Sequence, residues 1–584
     1  MARDEVGFPS PSGPGFVGRC APSGEPEPFR CRLSGEDSGQ VYRIASGRYA
    51  GALWGELYGW QDLARALADG APRPQDLPTL VGAAAARWPE DFPGRLKGLF
   101  ALVLWDQVER RLWLYRDPSA ARGLYYHLAA GGELHFATRL DDLVRQPGVE
   151  RRLARRSLHE YLRFLDISTP NTLYQDVYSV EPGQGLLFRD GRLGALPRAR
   201  VAPPQVSADL DAAAAELESC LQAAVRARLD PGGRSAVFLS GGIDSALLCS
   251  LAAEADPGRV AAVTVGFEAP GYDESAAAAR IAAFLGVTHH RLRFGEADYL
   301  AALEQLAQGS EQPFADPAGL PTLLAFQFCR GRFATVLDGT GADTLLGVMP
   351  ARHARLAVGW SARLPYPLRR AAAGILGRVP RWRGYRPLLD FRDPEELLIR
   401  WNGFRREEIE VLCGEPVSLA HTRFYRVFSA FPRHAHYQRY SALLGNLPDD
   451  RLHQAALLTG LPVRFPFWDS AVERCLGALP LAFRYRAGES KVILRRVLAR
   501  RLPETLWNTP KHGFDFPYHD LLKSRDRYLV RRYLGTASPL RELFAPGRLD
   551  PWVDRFLAGD DGPAFRIWGL VILSAWLEWH PGLV

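Results

Sequence analysis

The chain has 584 residues, 47% of them hydrophobic, and a formal net charge of +7. That length supports several domains with real cores, and so dilute a basicity suits phosphorylated or acidic ligands while arguing against a nucleic-acid-binding face. Seven cysteines, scattered with no Cys-x-x-Cys pair, argue against a zinc site or a disulfide framework and predict a reducing, cytoplasmic setting.

The first 30 residues, with Pro9, Pro11, Pro14, Pro22, Pro26 and Pro28, read as loose chain without the apolar core of a signal peptide. Helices are expected over 57–67 and 77–88. The apolar run 96–106 reads as a strand and 111–117 as its hairpin partner, with 124–126 and 134–137 continuing the pattern. A helix over 157–165 and a strand-like tail at 183–188 lead to a proline-rich linker at 197–205, containing Pro203-Pro204. This divides the chain into domains 1–200 and 206–584. Beyond the linker the pattern alternates: an alanine-rich helix at 211–229, a strand at 235–239, another at 259–267, a helix at 274–285 and a strand end at 335–338. That order predicts a doubly wound parallel sheet, which takes ligands at the carboxyl ends of its strands. No stretch reaches the ~20 apolar residues of a membrane span; the longest candidate, 569–577, is followed by Glu578.

At the first strand end stands Ser240-Gly241-Gly242-Ile243-Asp244-Ser245. A strand that breaks at two glycines and opens into a helix makes an anion cradle, because backbone N–H groups converge on the positive end of the helix. The hydroxyls add donors, and Asp244 adds a carboxylate able to hold Mg²⁺ against phosphates. A Walker-A loop is excluded, since no Lys follows Gly242, and so is a nucleophile elbow, since Phe238 stands two residues before the serine. The bland reading of Asp244 and Ser245 is a helix cap worth about 1 kcal/mol. A second carboxylate, Asp343, stands in Asp338-Gly339-Thr340-Gly341-Ala342-Asp343, where alone it would read as a turn residue beside glycines.

The Ser240–Ser245 string resembles the pyrophosphate loop of ATP-pyrophosphatases, which split ATP between its α and β phosphates. Asp338 to Asp343 is similar to a phrase of the asparagine synthetase family. So are Tyr272-Asp273-Glu274-Ser275, His289, Arg464-Phe465-Pro466-Phe467-Trp468-Asp469, the stretch 489–495 and Lys511-His512-Gly513-Phe514. Gly98 to Asp106 and Arg116-Asp117-Pro118-Ser119 match in part that family's N-terminal glutamine amidotransferase domain. The resemblance implies an α+β amidotransferase-like (Ntn-type) sandwich, then an α/β doubly wound parallel-sheet ATP-pyrophosphatase domain with a helical C-terminal part. It implies ATP and pyrophosphate binding by Leu239, Ser240, Gly241, Gly242, Asp244, Ser245, Val265, Asp338 and Gly339. Asp244 and Asp343 would hold Mg²⁺, and Lys491 would neutralise charge on the α-phosphate and the tetrahedral oxyanion. Arg495-Arg496 and Arg500-Arg501 read as surface charge. The shared chemistry is activation of a carboxylate as an acyl-adenylate, followed by attack of an amine.

Two departures bear on the amine. Working amidotransferases carry Cys after the initiator Met, whereas Met1 is here followed by Ala2 and Arg3; Cys20 and Cys31 would need trimming to reach a terminus. Thr340 stands where asparagine synthetases carry Glu and β-lactam synthetases carry Tyr, and it is no base. A peptide α-amine, with a pKa of about 7.7–8.0, is partly neutral near physiological pH and can rely on positioning. Lasso peptide cyclases fit this description. The expectation is therefore a macrolactam synthetase acting on a linear core peptide, with a leader peptidase and a leader-binding protein as partners and no nucleic acid. The region 350–440, with Arg381-Trp382-Arg383, Trp401, Phe404, Tyr425, Phe431 and Tyr437, is either the lining of a peptide-sized cavity or an ordinary helical subdomain. The alternatives are a β-lactam or other small-molecule amide synthetase, a glutamine-independent asparagine synthetase and a tRNA-modifying pyrophosphatase.

Overall fold

The computed structural model describes residues 12–22, 28–36, 40–68, 73–196, 209–267, 273–347, 359–391, 403–431, 450–486, 489–508 and 516–583. Among the described residues eleven strands build the first domain: β1 (Gly15–Cys20), β2 (Phe29–Ser34), β3 (Val41–Ser46), β4 (Tyr49–Leu57), β5 (Gly98–Asp106), β6 (Arg111–Arg116), β7 (Tyr125–Leu128), β8 (Leu134–Ala137), β9 (Val177–Ser179), β10 (Gly185–Arg189) and β11 (Arg192–Ala195). They form two sheets, ordered β2-β1-β8-β7-β9 and β11-β10-β6-β5-β4-β3.

The continuous apolar run of β5 has a physical cause. Ala101, Val103 and Trp105 face the other sheet and pack with Phe16 and Phe136. Phe100, Leu102 and Leu104 point the opposite way, toward Leu80, Val81 and Ala84 of the helix Leu77–Arg87. A strand covered on both faces loses its polar alternation.

Two expectations fail here. The supposedly loose start contains β1, which pairs with β2 on one side and β8 on the other. Its glycine is demanded by packing, since a Cβ on Gly18 would stand 2.4 Å from the Phe136 ring. The helix expected over 57–67 starts later: β4 runs to Leu57, and Trp60–Leu67 is helical only after Gly59, at φ 57°. The expected linker at 197–205 lies outside the described residues.

The second domain carries the predicted parallel sheet: β12 (Ser235–Phe238), β13 (Val260–Val265), β14 (Thr288–Leu292), β15 (Thr335–Leu337) and β16 (Val463–Arg464), ordered β14-β13-β12-β15-β16. Val237 and Ala262 face the helices Leu210–Arg226, Ile243–Ala255 and Val492–Ala499. Ala236, Ala261 and Val263 face Glu296–Gly309, Gly319–Cys329 and Ala564–Trp579. Strand order reverses beside β12, so the crevice outside its carboxyl end is the topological switch point where such folds bind ligands.

The apolar run 569–577 belongs to the buried helix Ala564–Trp579, whose Trp568 and Trp576 indoles donate to the carbonyls of Ala315 (3.0 Å) and Ser310 (2.9 Å). Among the described residues no helix is long and apolar enough to cross a membrane. A bidentate pair from Arg464 to Glu56, at 2.8 and 2.7 Å, ties β16 to β4 and so joins the domains. Asp469, from the same phrase, pairs with Arg228 at 3.0 Å.

Candidate active site

Beyond Phe238 the chain turns through Ser240–Gly242 into the helix Ile243–Ala255. Gly241 backs onto the next helix, where a Cβ would meet that of Ala277 at 2.8 Å. The loop closes on itself. Ser240 N–H donates to Ser245 Oγ (3.0 Å), the two hydroxyls bond at 2.9 Å, and Gly242 N–H donates to Ser240 Oγ (3.1 Å). The helix start has no side-chain cap, so the capping reading of Asp244 and Ser245 fails. A helix start without a side-chain cap is the donor end that an anion site uses.

On the neighbouring strand, β15 ends at Leu337 and Asp338 Oδ1 accepts from Thr340 N–H at 2.8 Å. Gly339 lies against Asp244, and a Cβ there would stand 3.3 Å from the Asp244 Cβ. Gly341 turns the chain at φ 105° into the short helix Ala342–Leu346, which carries Asp343. The two carboxylates thus converge. Lys491 Nζ donates to Asp244 Oδ2 and lies 2.7 Å from Asp343 Oδ1. Burial alone would lower the Lys491 ammonium, but the two carboxylates outweigh it and hold it above its ordinary value. Lys491 is only 7% exposed. It has left-handed backbone angles of φ 59° and ψ 38° at the start of Val492–Ala499, a conformation costing a non-glycine residue roughly 1–2 kcal/mol. Such strain persists only where the surroundings impose it, and it clusters at functional sites.

These groups surround a cleft of about 220 Å³. Leu239, Val263 and Val265 give it an apolar wall; Ser240, Gly242, Asp244 and Ser245 line one polar edge, and Asp338, Gly339, Thr340 and Asp343 the other. Of the residues expected from the sequence, Gly241 and Lys491 are not among those lining it: the first supports the loop, and the second reaches the carboxylates. His289 stands behind the wall, with Nε2 2.9 Å from the Thr264 hydroxyl, which itself donates to Leu239 O at 2.6 Å. Burial, then Arg291, lowers the His289 imidazole pKa. Asp273 accepts from Ser275 N–H at 2.8 Å just ahead of the helix Ser275–Leu285, whose N-cap is Glu274. Tyr272 and Lys511 to Phe514 lie outside the described residues.

Arg451, Thr322 and Glu274 also line the cleft. No local pattern marks Arg451; it arrives on the helix Asp450–Thr459, 3.6 Å from Asp316. Of the described residues of 350–440, none is among those lining the cleft. Trp382 is exposed on the outside, and Phe404 is buried against Trp552, 4.9 Å between ring centroids. Tyr425 packs on Phe164 and Phe424. Phe431 is half-buried and lines no part of it; Trp401 and Tyr437 fall outside the described residues. The paired arginines are structural: Arg496 and Arg500 reach Asp211, Arg501 holds Glu218 and Glu254, and Arg495 donates to Ser490 O and Asn508.

The donor set fits a hard divalent cation. One ammonium touches both carboxylates, so their oxygens share a point, and no cluster of three or more His, Cys, Asp or Glu occurs among the described residues. Two carboxylates plus phosphate oxygens and water is the usual arrangement for Mg²⁺.

In the first domain a smaller cavity of about 40 Å³ lies beside Arg116 and Arg122, backed by Glu311 and His453, and none of the described cysteines lines it. Cys20 ends β1, fully buried, and Cys31 lies within β2, its thiol pushed up to about 12 by burial despite Arg43. Trimming to Cys20 would delete β1, which is paired on both sides. Arg116 donates to the carbonyls of Arg122 (2.7 Å) and Ala120 (2.8 Å) and to Ser179 Oγ (3.0 Å). Arg122 lies over the Trp54 ring at 5.0 Å.

The family model for asparagine synthase matches residues 216–578, and that for a glutamine amidotransferase domain matches 33–195. The chain is 27% identical over 512 residues to a Mycobacterium tuberculosis protein with the provisional name of a glutamine-hydrolyzing asparagine synthetase, covering 84% of this chain and 78% of that one. It is 26% identical over 514 residues to a glutamine-hydrolyzing asparagine synthetase of Bacillus subtilis, covering 85% and 80%. Among solved structures, glutamine phosphoribosylpyrophosphate amidotransferase of B. subtilis shares 13% identity over 48% of this chain and 75% of that one, with a TM-score of 0.22, too low to inform the chemistry. With a cleft at the carboxyl ends of a parallel sheet in the second domain and a family match over more than half of its length, the chain belongs to the asparagine synthase family and is an ATP-dependent, amide-forming ligase.

Proposed function

We propose that this ligase closes a macrolactam ring within a linear peptide, in the manner of a lasso peptide cyclase. The observation that carries the proposal lies in the first domain. Its described cysteines, Cys20 and Cys31, sit inside paired strands, and its Arg116-Asp117 phrase is consumed by internal hydrogen bonds. Described cysteines that are not available as thiols release no ammonia from glutamine, which favours an amine carried by the substrate itself. Thr340 at the cleft edge supports the same reading. It cannot take a proton from an ammonium, which suits an α-amine already partly neutral near pH 7.5.

In this mechanism ATP lies with its base along Leu239 and Val265 and its phosphates on the Ser240–Ser245 loop. A side-chain carboxylate of Asp or Glu in the peptide attacks the α-phosphorus, and the α–β bridging oxygen leaves with pyrophosphate. Mg²⁺, held by Asp244 and Asp343, would neutralise charge on that leaving group. Lys491 stabilises charge on the α-phosphate, then on the oxyanion formed when the peptide N-terminal amine adds to the acyl carbon. Collapse releases AMP, and the amine proton passes to solvent. A leader peptidase and a leader-binding protein would deliver the linear peptide.

The relatives are named glutamine-hydrolyzing asparagine synthetases, which favours a second reading, formation of asparagine from aspartate; with the described cysteines of the first domain buried in strands, its amine would be free ammonia. Incubation with ATP, Mg²⁺ and a linear core peptide separates the two. Ring closure gives AMP, pyrophosphate and a product lighter by one water. AMP formation with aspartate and ammonium, and none with peptide, would establish the second reading, and ADP as product would defeat both.

A further inference from the structure

Residues 359–391 turn most of their large apolar side chains outward and bury an arginine along with Ala373 and Phe391. The helix Tyr366–Arg378 is followed by a 3-10 segment, Pro380–Leu388, that folds back on it. The residue sealed inside is an arginine: Arg369 is 4% exposed, donates to the carbonyls of Leu364 (3.0 Å), Leu389 (3.2 Å) and Phe391 (2.7 Å), and stacks on Phe391 at 4.1 Å. The residues turned outward are apolar. Trp360 is 75%, Ile375 66% and Leu368 63% exposed, with Leu364, Trp382 and Tyr385 exposed beside them. Seven of the fourteen large exposed hydrophobic side chains among the described residues fall within 360–385. Scattered exposed hydrophobics are ordinary, but such a concentration marks an interaction surface.

Charge identifies the partner. The stretch 360–389 contains seven arginines and no lysine, aspartate or glutamate. Arg363, Arg370, Arg378, Arg381 and Arg386 are exposed among the apolar side chains. The nearest acid, Asp390, is occupied by the Tyr366 hydroxyl at 3.2 Å and by Arg405 and Arg386, each at 3.5 Å. Arginines interleaved with Trp, Tyr, Leu and Ile, with no acid among them, match the boundary between anionic headgroups and acyl chains: the rings and aliphatic groups enter the apolar layer while guanidiniums stay on phosphates.

We propose that this hairpin seats the enzyme on an anionic lipid bilayer as an interfacial anchor that does not span it. The full-length protein is to be sedimented with vesicles of phosphatidylcholine, with and without about one-third phosphatidylglycerol. The expected result is binding to the anionic vesicles, release at high salt, and at least tenfold weaker binding to phosphatidylcholine alone. The combined variant Leu368→Ser/Ile375→Ser/Trp382→Ser and the pair Arg370→Glu/Arg378→Glu should each lose at least tenfold in vesicle binding while keeping AMP-forming activity, since none of these residues lines the cleft. Four results would overturn the proposal: wild-type protein remaining in the supernatant with both vesicles; the apolar triple variant binding as wild type does; a wild-type dimer abolished by the triple variant, which assigns the face to a second copy; and retention on immobilised polyglutamate without vesicle binding, which assigns it to an acidic protein.

Discussion

The cleft of the second domain and the Arg116-Asp117 corner of the first both carry family phrases built from buried charge, and they have gone opposite ways. In the cleft, the carboxylates of Asp244 and Asp343 meet on a lysine at the edge of an open space of about 220 Å³. In the corner, Asp117 is sealed, accepting from Phe100 N–H at 3.1 Å and Ser119 N–H at 2.9 Å, and Arg116 spends its donors on carbonyls and a serine. A charged group facing a cavity remains available to a ligand, whereas one whose hydrogen bonds close within the fold has become structure. A sequence phrase does not distinguish these outcomes, because what surrounds it decides.

The largest test of this contrast replaces the convergent carboxylates. Asp244→Asn and Asp343→Asn should each reduce pyrophosphate release by about 10³-fold or more, by removing charge opposite the leaving group. Thermal unfolding should move by only a few degrees, because neither side chain carries packing. Turnover within tenfold of wild type in both variants would remove them from the chemistry.

Lys491→Met comes next. It preserves most of the stem and removes the charge, so kcat should fall about 10²–10³-fold with ATP affinity, read by equilibrium binding, changed far less. A loss of ATP affinity with kcat retained would make Lys491 a docking residue and leave the α-phosphate without its proposed partner.

The Glu56–Arg464 pair tests whether the amidotransferase-like domain now serves as support. Burial raises the Glu56 carboxyl, but Arg464 outweighs it and holds the group below its usual value. Breaking so enclosed a pair with Glu56→Gln should cost about 3 kcal/mol, read as a shift in denaturant midpoint. Complementing it with Arg464→Met in a double-mutant cycle should recover part of that loss. A neutral Glu56→Gln would mean that apolar packing alone holds the domains together.

Much of the cleft was legible because its signals are local. Ser240 to Ser245 and Asp338 to Asp343 are contiguous, and each directly follows a strand that reads as one. Lys491 was legible only through the resemblance, since its left-handed backbone and its reach across 247 residues to Asp244 leave no mark in composition. Arg451 was not legible, because it enters by the packing of one helix on another. In the first domain, β5 announced itself by its length, but β1 did not: its glycines and neighbouring prolines read as loop, and only the strands on either side make it a strand. The aromatic and arginine-rich stretch near 380 was noticed but left open between cavity lining and helical exterior, for composition shows what is present and not which way it faces.

The sealed corner gives the smallest expected effect and the sharpest sign. Burial pushes the Asp117 carboxyl up to about 6 from an ordinary 3.8, against the pull of Ser119 and Arg116. The unfolded chain ionises Asp117 near its ordinary value, so between about 4 and 6 the folded state binds more protons than the unfolded one. The contribution is therefore complete below pH 4 and is lost as pH rises through 6, amounting to no more than about 3 kcal/mol. Asp117→Asn carries no proton to lose. It should be less stable than wild type at pH 4, because an amide cannot accept all three of the Phe100 and Ser119 bonds, and it should close that gap as pH rises to 7. The measurement is the difference in unfolding free energy between the two proteins across that range. A gap that stays constant would show that Asp117 is ionised in the folded protein throughout, which would make the corner a charged site and align it with the cleft after all.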